Sequence, residues 1–427
     1  MRVLLVNHFP LTGSGSGVYT ANLARSLVKN GDKAAIVFPE NRSEYEHYSG
    51  VDLYPVFFKG EEDIQGVNQS DMNFPCFTTH PRSVFNFMDM TDAQRKEYED
   101  KFREEIGRAI DEFKPDIVHA QHVWTLAGLS AEACQKRNIP MVVTCHGTDL
   151  MGIVNEEKAG VNWGREWAKK ASSYADSIIT ISEDSHNLAK KILGDDINAV
   201  CIKNGVDTGI FVRDTTLDRA TVLKSLGIEK PYKHVVSFVG KLADFKGVDV
   251  LIDAIPQYED EDTVTLIAGN GELREKLKAQ AERVGAKNLV FLGNQPQTVL
   301  KDILNVADVS VVPSRREPFG LVAAEAMACG TPVIATNEGG LPDFVHDGVG
   351  ILVPVEDSEA LAQAVHSSIS GERTFDRAAI SREAQAKHSI DKKVGDFKVA
   401  YTHAIDKLRS AGKVRRYFDV DDGEHDL

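Results

Sequence analysis

The sequence of 427 residues has few cysteines and lacks apolar runs long enough to cross a membrane. Its five cysteines are odd in number and scattered without metal-like pairing: Cys76, Cys134, Cys145, Cys201 and Cys329. This pattern argues against a disulfide framework and favours a reducing compartment. No apolar stretch reaches the roughly 18 residues of a membrane span, and the N-terminal stretch is too short for a signal peptide. We therefore expect a cytoplasmic protein without an integral membrane segment.

The sequence also lacks an excess of positive charge, since its 49 lysines and arginines are outnumbered by 64 aspartates and glutamates. The formal net charge of −15 disfavours non-specific binding to nucleic acid or to anionic lipid. The helix predicted near residues 93–113 mixes both signs and has no basic face for a membrane surface. A phosphate-bearing ligand must therefore meet a local basic site, and we expect no nucleic-acid partner.

Short apolar runs alternate with amphipathic stretches, such as the helix predicted at residues 16–30, and this alternation predicts βαβ units with parallel sheets. A first series of strands is predicted at residues 3–7, 33–38, 117–120, 141–144, 177–181 and 199–202. A second series is predicted at residues 235–239, 264–268, 289–292, 309–312, 332–335 and 350–353. Residues 206–233 between them carry few strand signals and are interpreted as the linker. The pattern thus predicts an α/β protein of two Rossmann-like, doubly wound domains facing across a cleft, with ligands at the carboxyl ends of the strands.

Two segments depart from this rhythm. Residues 41–90 are rich in aromatics, Asn and Pro and are interpreted as a long irregular excursion, a type of segment that is often functional. The charged tail from Lys413 is expected to fray.

The most specific chemical signal is the pair Glu317 and Glu325, which follows a predicted strand. Glu317 stands at the start of a helix predicted near Phe319, where the backbone N–H groups of Phe319, Gly320 and Leu321 would be free to bind oxygen. Glu325 lies in that helix among Ala, Met and Val, and a carboxylate there needs a partner. One carboxylate can bind sugar hydroxyls and the other a ribose diol; alternatively, they are an ordinary helix-terminal charge and a solvated side chain.

The chain resembles the retaining glycosyltransferases of family 4, the group 1 class of the GT-B fold, over nearly its whole length. The resemblance rests on Glu317 and Glu325 followed by CGTPVIATNEGGLPDFVHDGVGILV, and on VSFVGKLADFKGVDVLIDAI, IKNGVDTGIF, ADSIITISEDSHNLAKKI and FPLTGSGSGVYTANLARSLVKNG. It implies an N-terminal acceptor domain at residues 1–207 and a nucleotide-sugar domain at 208–394. The C-terminal helix, about 395–427, is expected to pack back on the first domain and to couple cleft closure to binding.

The glycine-flanked segment Gly240 to Gly247 follows a strand and carries Lys241 and Lys246, which can neutralise a diphosphate and the charge that builds on it. The family usually has Arg at the position of Lys241, and Lys keeps the charge but loses the bidentate fork. Alternatively, both are solvent-facing lysines. Further donor contacts are expected from Asn270, Gly271 and Asn294.

The loop GSGSG lies between the first strand and the first helix, where it suits anion binding. Its glycine spacing is not the dinucleotide fingerprint, although Glu40 stands where a ribose-binding acid would lie, so a dinucleotide site is weakened rather than excluded. The resemblance implies that Gly15 and Gly17 approach the diphosphate and the transferred sugar.

Histidines form the remaining candidates. His146 matches the family's active-site histidine and is expected to position the sugar or to stabilise the oxocarbenium-like state through its backbone or ring. Asp149 would orient it or cap the next segment, and a plain loop histidine is the alternative. His119 and His122, with His146 and His80, do not make a closed zinc set, so no metal is expected. Acceptor contacts are expected from His80, Arg82, His119 and His122, although Arg82 is equally interpreted as a surface residue.

The sequence therefore predicts a metal-independent hexosyltransferase without a cofactor, in which His146, Lys246 and Glu317 are catalytic and Glu325 binds the ribose. The expected co-substrate is a nucleotide diphosphate sugar, such as UDP-glucose or UDP-N-acetylglucosamine, and the expected acceptor is a hydroxyl of a soluble molecule. The alternatives are a nucleotide-sugar epimerase and a non-catalytic sugar-nucleotide sensor, and a dehydrogenase is less favoured than either.

Overall fold

The computed structural model describes residues 1–60, 64, 67–154 and 159–411. Its contacts divide the chain into two units. Unit 1 comprises Met1–Lys203 together with the chain from Lys393, and unit 2 comprises Asn204–Lys392. Each unit is built on one parallel sheet.

Unit 1 has a seven-stranded parallel sheet in the order β3-β2-β1-β4-β5-β6-β7. Its strands are β1 (Arg2–Val6), β2 (Lys33–Glu40), β3 (Val51–Phe57), β4 (Ile117–Gln121), β5 (Met141–Cys145), β6 (Ser177–Thr180) and β7 (Ala199–Cys201). Its helices are α1 (Gly15–Lys29), α2 (Asp92–Phe113), α3 (Thr125–Arg137), α4 (Thr148–Val154), α5 (Ala159–Tyr174) and α6 (Glu183–Leu193). The strand order reverses between β1 and β4, which is where such sheets open a crevice for ligands.

Unit 2 has a six-stranded parallel sheet in the order β10-β9-β8-β11-β12-β13, which reverses between β8 and β11. Its strands are β8 (His234–Val239), β9 (Thr263–Ala268), β10 (Leu289–Gly293), β11 (Val309–Val312), β12 (Val333–Thr336) and β13 (Gly350–Val353). Its helices are α7 (Arg219–Ser225), α8 (Val248–Tyr258), α9 (Arg274–Val284), α10 (Gln297–Val306), α11 (Leu321–Ala328), α12 (Ser358–Ile369) and α13 (Arg377–Lys387).

The central strands are buried along their whole length, as in β4, β5, β9 and β11, because helices cover both faces of each sheet. This burial explains why the strands are continuous apolar runs rather than alternating ones. All twelve strands predicted from the sequence are present, with ends that differ by at most two residues.

Two organisational expectations are corrected. The supposed irregular excursion contains a regular strand, β3, which pairs parallel to β2 from Val51 to Phe57. The exposed Asp52 and the internal Pro55 weakened its pattern, and both are tolerated because β3 lies at the sheet edge. The supposed linker at 206–233 belongs to unit 2 and contains α7, whose N-cap is Asp218.

The last helix, α14 (Ile390–Ala411), lies mostly within unit 1. Lys398 Nζ is 2.8 Å from Asp32 Oδ2, and Lys407 Nζ is 3.6 Å from Asp176 Oδ1. The Tyr401 hydroxyl is 2.7 Å from His119 Nδ1 inside the core. The part of the predicted C-terminal helix beyond 411, and the tail from Lys413, fall outside the described residues.

Replacing Tyr401 by phenylalanine should destabilise the protein by about 1–3 kcal/mol, because it leaves a buried ring nitrogen of His119 without its partner. Urea unfolding measures the loss. Tyr48→Phe is the control, since its hydroxyl bonds an exposed carboxylate of Glu46 and should cost less than about 0.5 kcal/mol. Equal losses in the two variants would contradict the assignment of a buried hydrogen bond.

Candidate functional site

The strongest chemical grouping lies in unit 2, at the carboxyl ends of β8 and β11. The turn carrying Lys246 follows β8, and the segment carrying Glu317 follows β11. These two strands are neighbours at the point where the strand order reverses, so residues 71 positions apart are brought together. The topology therefore places the site where open α/β sheets bind ligands.

Lys246 and Glu317 form an ion pair, with Nζ 2.6 Å from Oε2. The Ser314 hydroxyl donates to the same carboxylate oxygen over 3.0 Å. The Glu317 side chain is 9% exposed and the Lys246 side chain 22%. No group in the described chain bonds the second carboxylate oxygen of Glu317, which leaves that oxygen for a hydroxyl donor. The sequence predicted both residues at the site but not that they pair with each other.

The helix after Glu317 begins at Leu321, two residues later than expected. Gly320 is its N-cap with φ of 100°, a left-handed conformation that glycine adopts without a steric penalty. In the described chain, the backbone N–H groups of Phe319, Gly320 and Leu321 donate to no acceptor. The ring of Phe319 is buried and stacks on Phe344 with centroids 5.0 Å apart, so its side chain packs the core while its backbone faces the site. A helix N-terminus with free N–H groups suits an anion.

Glu325 lies one turn into α11 and is half-buried. Desolvation raises the pKa of its carboxyl to about 8. Among the described residues, its carboxylate has no hydrogen-bond partner. This is the arrangement expected of a carboxylate whose partner is a ligand.

The other predicted donor-binding residues of unit 2 lie near the same sheet edge. Lys241 Nζ is 3.9 Å from the carboxylate of Glu272, so its charge is partly balanced within the protein. Asn270 accepts the backbone N–H of Gly271 through its side chain. A Cβ on Gly269 would lie 1.8 Å from the Gly240 carbonyl oxygen, so the turns after β8 and β9 pack backbone to backbone. Asn294 is exposed after β10.

In unit 1, the glycine-rich loop between β1 and α1 serves two purposes. Gly15 is exposed, and a Cβ there would meet nothing within 4 Å. Gly17 is buried, its N–H is capped by the Ser14 hydroxyl, and a Cβ would lie 2.0 Å from the Pro10 carbonyl oxygen. The Gly17 N–H is therefore engaged in helix capping, and the expectation that Gly17 approaches the diphosphate stays a prediction.

His146 follows β5 and is 9% exposed. Its Nε2 is 2.8 Å from Gln121 Oε1, and its backbone N–H donates to the buried carboxylate of Asp149. Asp149 also accepts the N–H of Val123, so it joins the loops after β4 and β5. Burial, and next the neighbouring His122, lower the pKa of His146 to about 3. The ring is thus a neutral hydrogen-bonding group. No pattern in the sequence pointed to Gln121, which holds the ring from the end of the adjacent strand.

The four expected acceptor contacts fare differently. His119 is fully buried, with its ring nitrogens 2.7 Å from the hydroxyls of Tyr401 and Thr144, so the acceptor role predicted for it is wrong. His80 Nε2 is 3.0 Å from the Thr12 carbonyl oxygen, so His80 braces the glycine-rich loop. His122 is 1% exposed, has a φ of 75°, and packs its ring 4.7 Å from that of His146. Such a φ is uncommon in a residue other than glycine, and strained residues cluster at functional sites.

Arg82 is not a surface residue, which corrects that interpretation. Its side chain is 9% exposed and forms an ion pair with Glu40, and it also donates to Asn41. The guanidinium is therefore engaged, and an acceptor anion would have to compete with Glu40. The same pair occupies the carboxylate that a dinucleotide site would need for its ribose, which further weakens that alternative.

Within the described ranges, no three His, Cys, Asp or Glu side chains converge as a metal site would require. The helices among those residues include none that is both long enough and apolar enough to cross a membrane. The roles assigned above to individual side chains remain predictions.

Comparison with known proteins now adds to this geometry. The family model of the glycosyl transferases group 1 matches residues 220–387, and that of glycosyltransferase family 4 matches residues 13–209. A D-inositol 3-phosphate glycosyltransferase of Mycobacterium sp. (strain KMS) is 31% identical over 325 residues, which make up 71% of this chain and 72% of that protein.

Two solved structures resemble the whole chain. Sucrose-phosphate synthase from Thermosynechococcus elongatus has a TM-score of 0.73 at 20% identity, and HepE of Anabaena, in complex with UDP and glucose, has a TM-score of 0.68 at 19% identity. Each match covers 96% of this chain and 100% of the other. At this identity the likeness shows the fold alone, and it confirms the GT-B fold expected from the sequence.

Proposed function

The chain belongs to the group 1 glycosyltransferases of family 4 and is a hexosyltransferase that uses a nucleotide-sugar donor, and from this premise we propose its finer chemistry. The protein transfers a hexosyl unit from a UDP-sugar to a hydroxyl of a small acceptor, with retention of the anomeric configuration and without a metal ion. Unit 2 binds the donor, and unit 1 binds the acceptor.

The Lys246–Glu317 pair beside the free N–H groups at the start of α11 is the observation that carries this proposal. A cation and a helix N-terminus together suit a diphosphate, whose negative charge grows as it leaves the sugar. Glu317 Oε2 lies 2.6 Å from Lys246 Nζ. Its other oxygen, which no described residue bonds, can accept hydrogen bonds from sugar hydroxyls close to that diphosphate.

One observation supports a uridine nucleotide, and a second supports a nucleotide of any base. HepE, which shares the fold, was solved with UDP and glucose. No described residue bonds the carboxylate of Glu325, which lies on the helix that begins at the proposed diphosphate site, and a carboxylate can accept both hydroxyls of a ribose. We therefore assign the ribose to Glu325 and the diphosphate to Lys246, with Lys241 as a second cation.

The proposed reaction breaks the bond between the anomeric carbon and the β-phosphate oxygen and forms a bond from that carbon to the acceptor oxygen on the same face. The leaving phosphate oxygen takes the acceptor hydroxyl proton, so atoms and charges balance. His146 contributes as a neutral hydrogen-bonding group to the sugar, since the low pKa of its ring keeps it uncharged. The five cysteines are free, which is compatible with the cytoplasmic location that we propose.

Calorimetric titration with UDP, GDP and ADP, followed by a UDP-release assay over a panel of UDP-sugars, tests this proposal. We expect UDP to bind more tightly than GDP and ADP, and one UDP-sugar to be hydrolysed slowly without an acceptor. The rate should be unchanged when EDTA is added. Preferential binding of GDP or ADP would refute the assigned donor, and loss of turnover in EDTA would refute the metal-independent chemistry. Tight UDP binding with no turnover of any UDP-sugar, even with acceptors supplied, would favour a non-catalytic sensor.

A further inference from the structure

Arg315 stands two residues before Glu317, where a free arginine would be an obvious ligand for a diphosphate. A guanidinium has five N–H donors, and here each of the five has a protein acceptor. The Nε–H and one Nη2–H donate to the carboxylate of Glu356, the second of these over 3.0 Å. One Nη1–H and the other Nη2–H donate to Asp249 over 2.9 and 2.7 Å, and the last Nη1–H donates to the Asp244 carbonyl over 2.6 Å. Arg315 is thus saturated by the protein.

The acceptors of Arg315 surround the turn that carries Lys246. Asp244 opens that short 3₁₀ turn (Asp244–Lys246), and Asp249 lies in the first turn of the helix that follows, α8. The backbone N–H groups of Arg315 and Arg316 both donate to the Phe245 carbonyl, over 2.9 and 3.3 Å. The segment before Glu317 is therefore bonded to the residues on both sides of Lys246.

The two segments also approach each other closely. Gly247 has a φ of 63°, and a Cβ there would lie 2.0 Å from the Pro313 carbonyl oxygen. The backbone contact and the Arg315 hydrogen bonds together fix the position of the Lys246 backbone. From there the Lys246 side chain places its Nζ 2.6 Å from Glu317 Oε2. A lysine side chain is flexible, so a fixed backbone reduces the conformational entropy that Lys246 must lose to hold its ammonium in place during the reaction.

The ion pairs of Arg315 with Asp249 and Glu356 stabilise its position. Burial on its own would raise the pKa of Asp249, but the hydrogen bonds and charge of Arg315, together with backbone N–H hydrogen bonds, outweigh it and hold that pKa below its usual value. The side chains of Arg315, Asp249 and Glu356 are 20%, 35% and 55% exposed, so a single ion pair here would contribute little. A bidentate pair within a network, with a backbone carbonyl as a further acceptor, gives geometric definition as well as energy.

We propose that Arg315 is a positioning residue for sugar transfer, which clamps the Lys246 turn against the Glu317 segment and does not itself bind the diphosphate. This inference rests on the proposed donor site for its effect on the rate. The clamp itself is a property of the free protein.

Three variants separate a clamp from a ligand. Arg315→Met removes the guanidinium, and Arg315→Lys keeps the charge without the fork. Asp249→Asn weakens the clamp from the acceptor side and leaves the arginine in place. Arg373→Met is the matched control, because Arg373 pairs with the exposed Asp347 in the same unit and away from this turn.

We expect Arg315→Met and Asp249→Asn to lower kcat by roughly 10- to 100-fold, with the Kd for UDP changing less than about threefold. Arg315→Lys should fall between them and the parent, and Arg373→Met should match the parent. In a Lys246→Met background, Arg315→Met should lower kcat by no more than about twofold further, because the residue it positions is gone. If Arg315 bound the diphosphate, Arg315→Met would weaken UDP binding more than tenfold, Asp249→Asn would not, and the proposal would be overturned.

Hydrogen exchange of the peptide spanning residues 243–248, in the protein without nucleotide, tests the clamp independently of activity. Protection should fall about tenfold in Arg315→Met and Asp249→Asn and stay unchanged in Arg373→Met. Unchanged protection in the first two variants would overturn the clamp even if their rates fell. Absence of UDP binding and turnover in the parent would refute the proposed function, and the exchange result would still decide the clamp.

Discussion

Lys246→Met is expected to lower kcat for sugar transfer by about 10²–10³-fold, because it removes a fixed cation from the place where the leaving diphosphate gains charge. The ammonium is held in place by Glu317 over 2.6 Å, so it needs little reorganisation as the donor bond breaks. Measuring kcat and KM for the UDP-sugar separates this effect from donor binding. The loss should fall mainly on kcat, since the cation matters more to the departing diphosphate than to the bound donor.

Lys278→Met provides the control for this prediction. Lys278 lies on α9 of the same unit and pairs with the exposed Glu275, so its removal takes away the same charge without touching the site. Its kcat should stay within about twofold of the parent. A similar value for Lys246→Met would contradict the role that we assign to Lys246. In Lys246→Met the carboxylate of Glu317 keeps only the Ser314 hydroxyl as a partner. Circular dichroism of both variants checks that this loss does not unfold the protein.

Glu325→Gln is expected to weaken UDP binding by about 10- to 100-fold at pH 9, since a hydrogen bond to a charged group contributes roughly 1.5–3 kcal/mol and the neutral amide keeps only one acceptor oxygen for the two ribose hydroxyls. Burial raises the pKa of Glu325 to about 8, so the free parent protein must lose a proton to present a carboxylate to the ribose. The affinity of the parent for UDP should therefore rise with pH up to about 8 and then level off. Calorimetry in buffers of different ionisation enthalpy would count the proton released. A flat pH profile between 6 and 9 would refute the ribose assignment.

The same carboxyl makes a prediction for the stability of the ligand-free protein. Its folded pKa of about 8 lies above the ordinary value of 4.5, so the folded state holds a proton that the unfolded state has lost between these values. Stability from this group is fully present below pH 4.5 and declines as pH rises towards 8. Glu325→Gln should therefore unfold at a higher temperature than the parent at pH 9, and the difference should shrink towards pH 5. Saturating UDP should narrow the difference at pH 9, because UDP binds the parent more tightly than the variant.

The strand series of both sheets could be read from the sequence, because strands covered on both faces are continuous apolar runs. The same rule failed for β3, whose edge position admits Asp52 and Pro55. The loop GSGSG was expected to face a diphosphate through both Gly15 and Gly17, and only the packing against Pro10 separates the open glycine from the closed one.

The sequence by itself determined the alternation of strands and helices, the family, and the presence of Lys246, Glu317 and Glu325 in motifs, because these depend on local pattern and spacing. Only the tertiary structure decided which polar side chains meet. Lys246 and Glu317 are 71 residues apart, Arg82 and Glu40 are 42 apart, and His119 and Tyr401 are 282 apart. A sheet crossover or a returning helix brings the two residues of each pair together. Contacts made across such long connections produce no local pattern of spacing or hydrophobicity in the sequence. The same holds for Arg315, whose five N–H donors bond residues that lie 41 to 71 positions away in sequence.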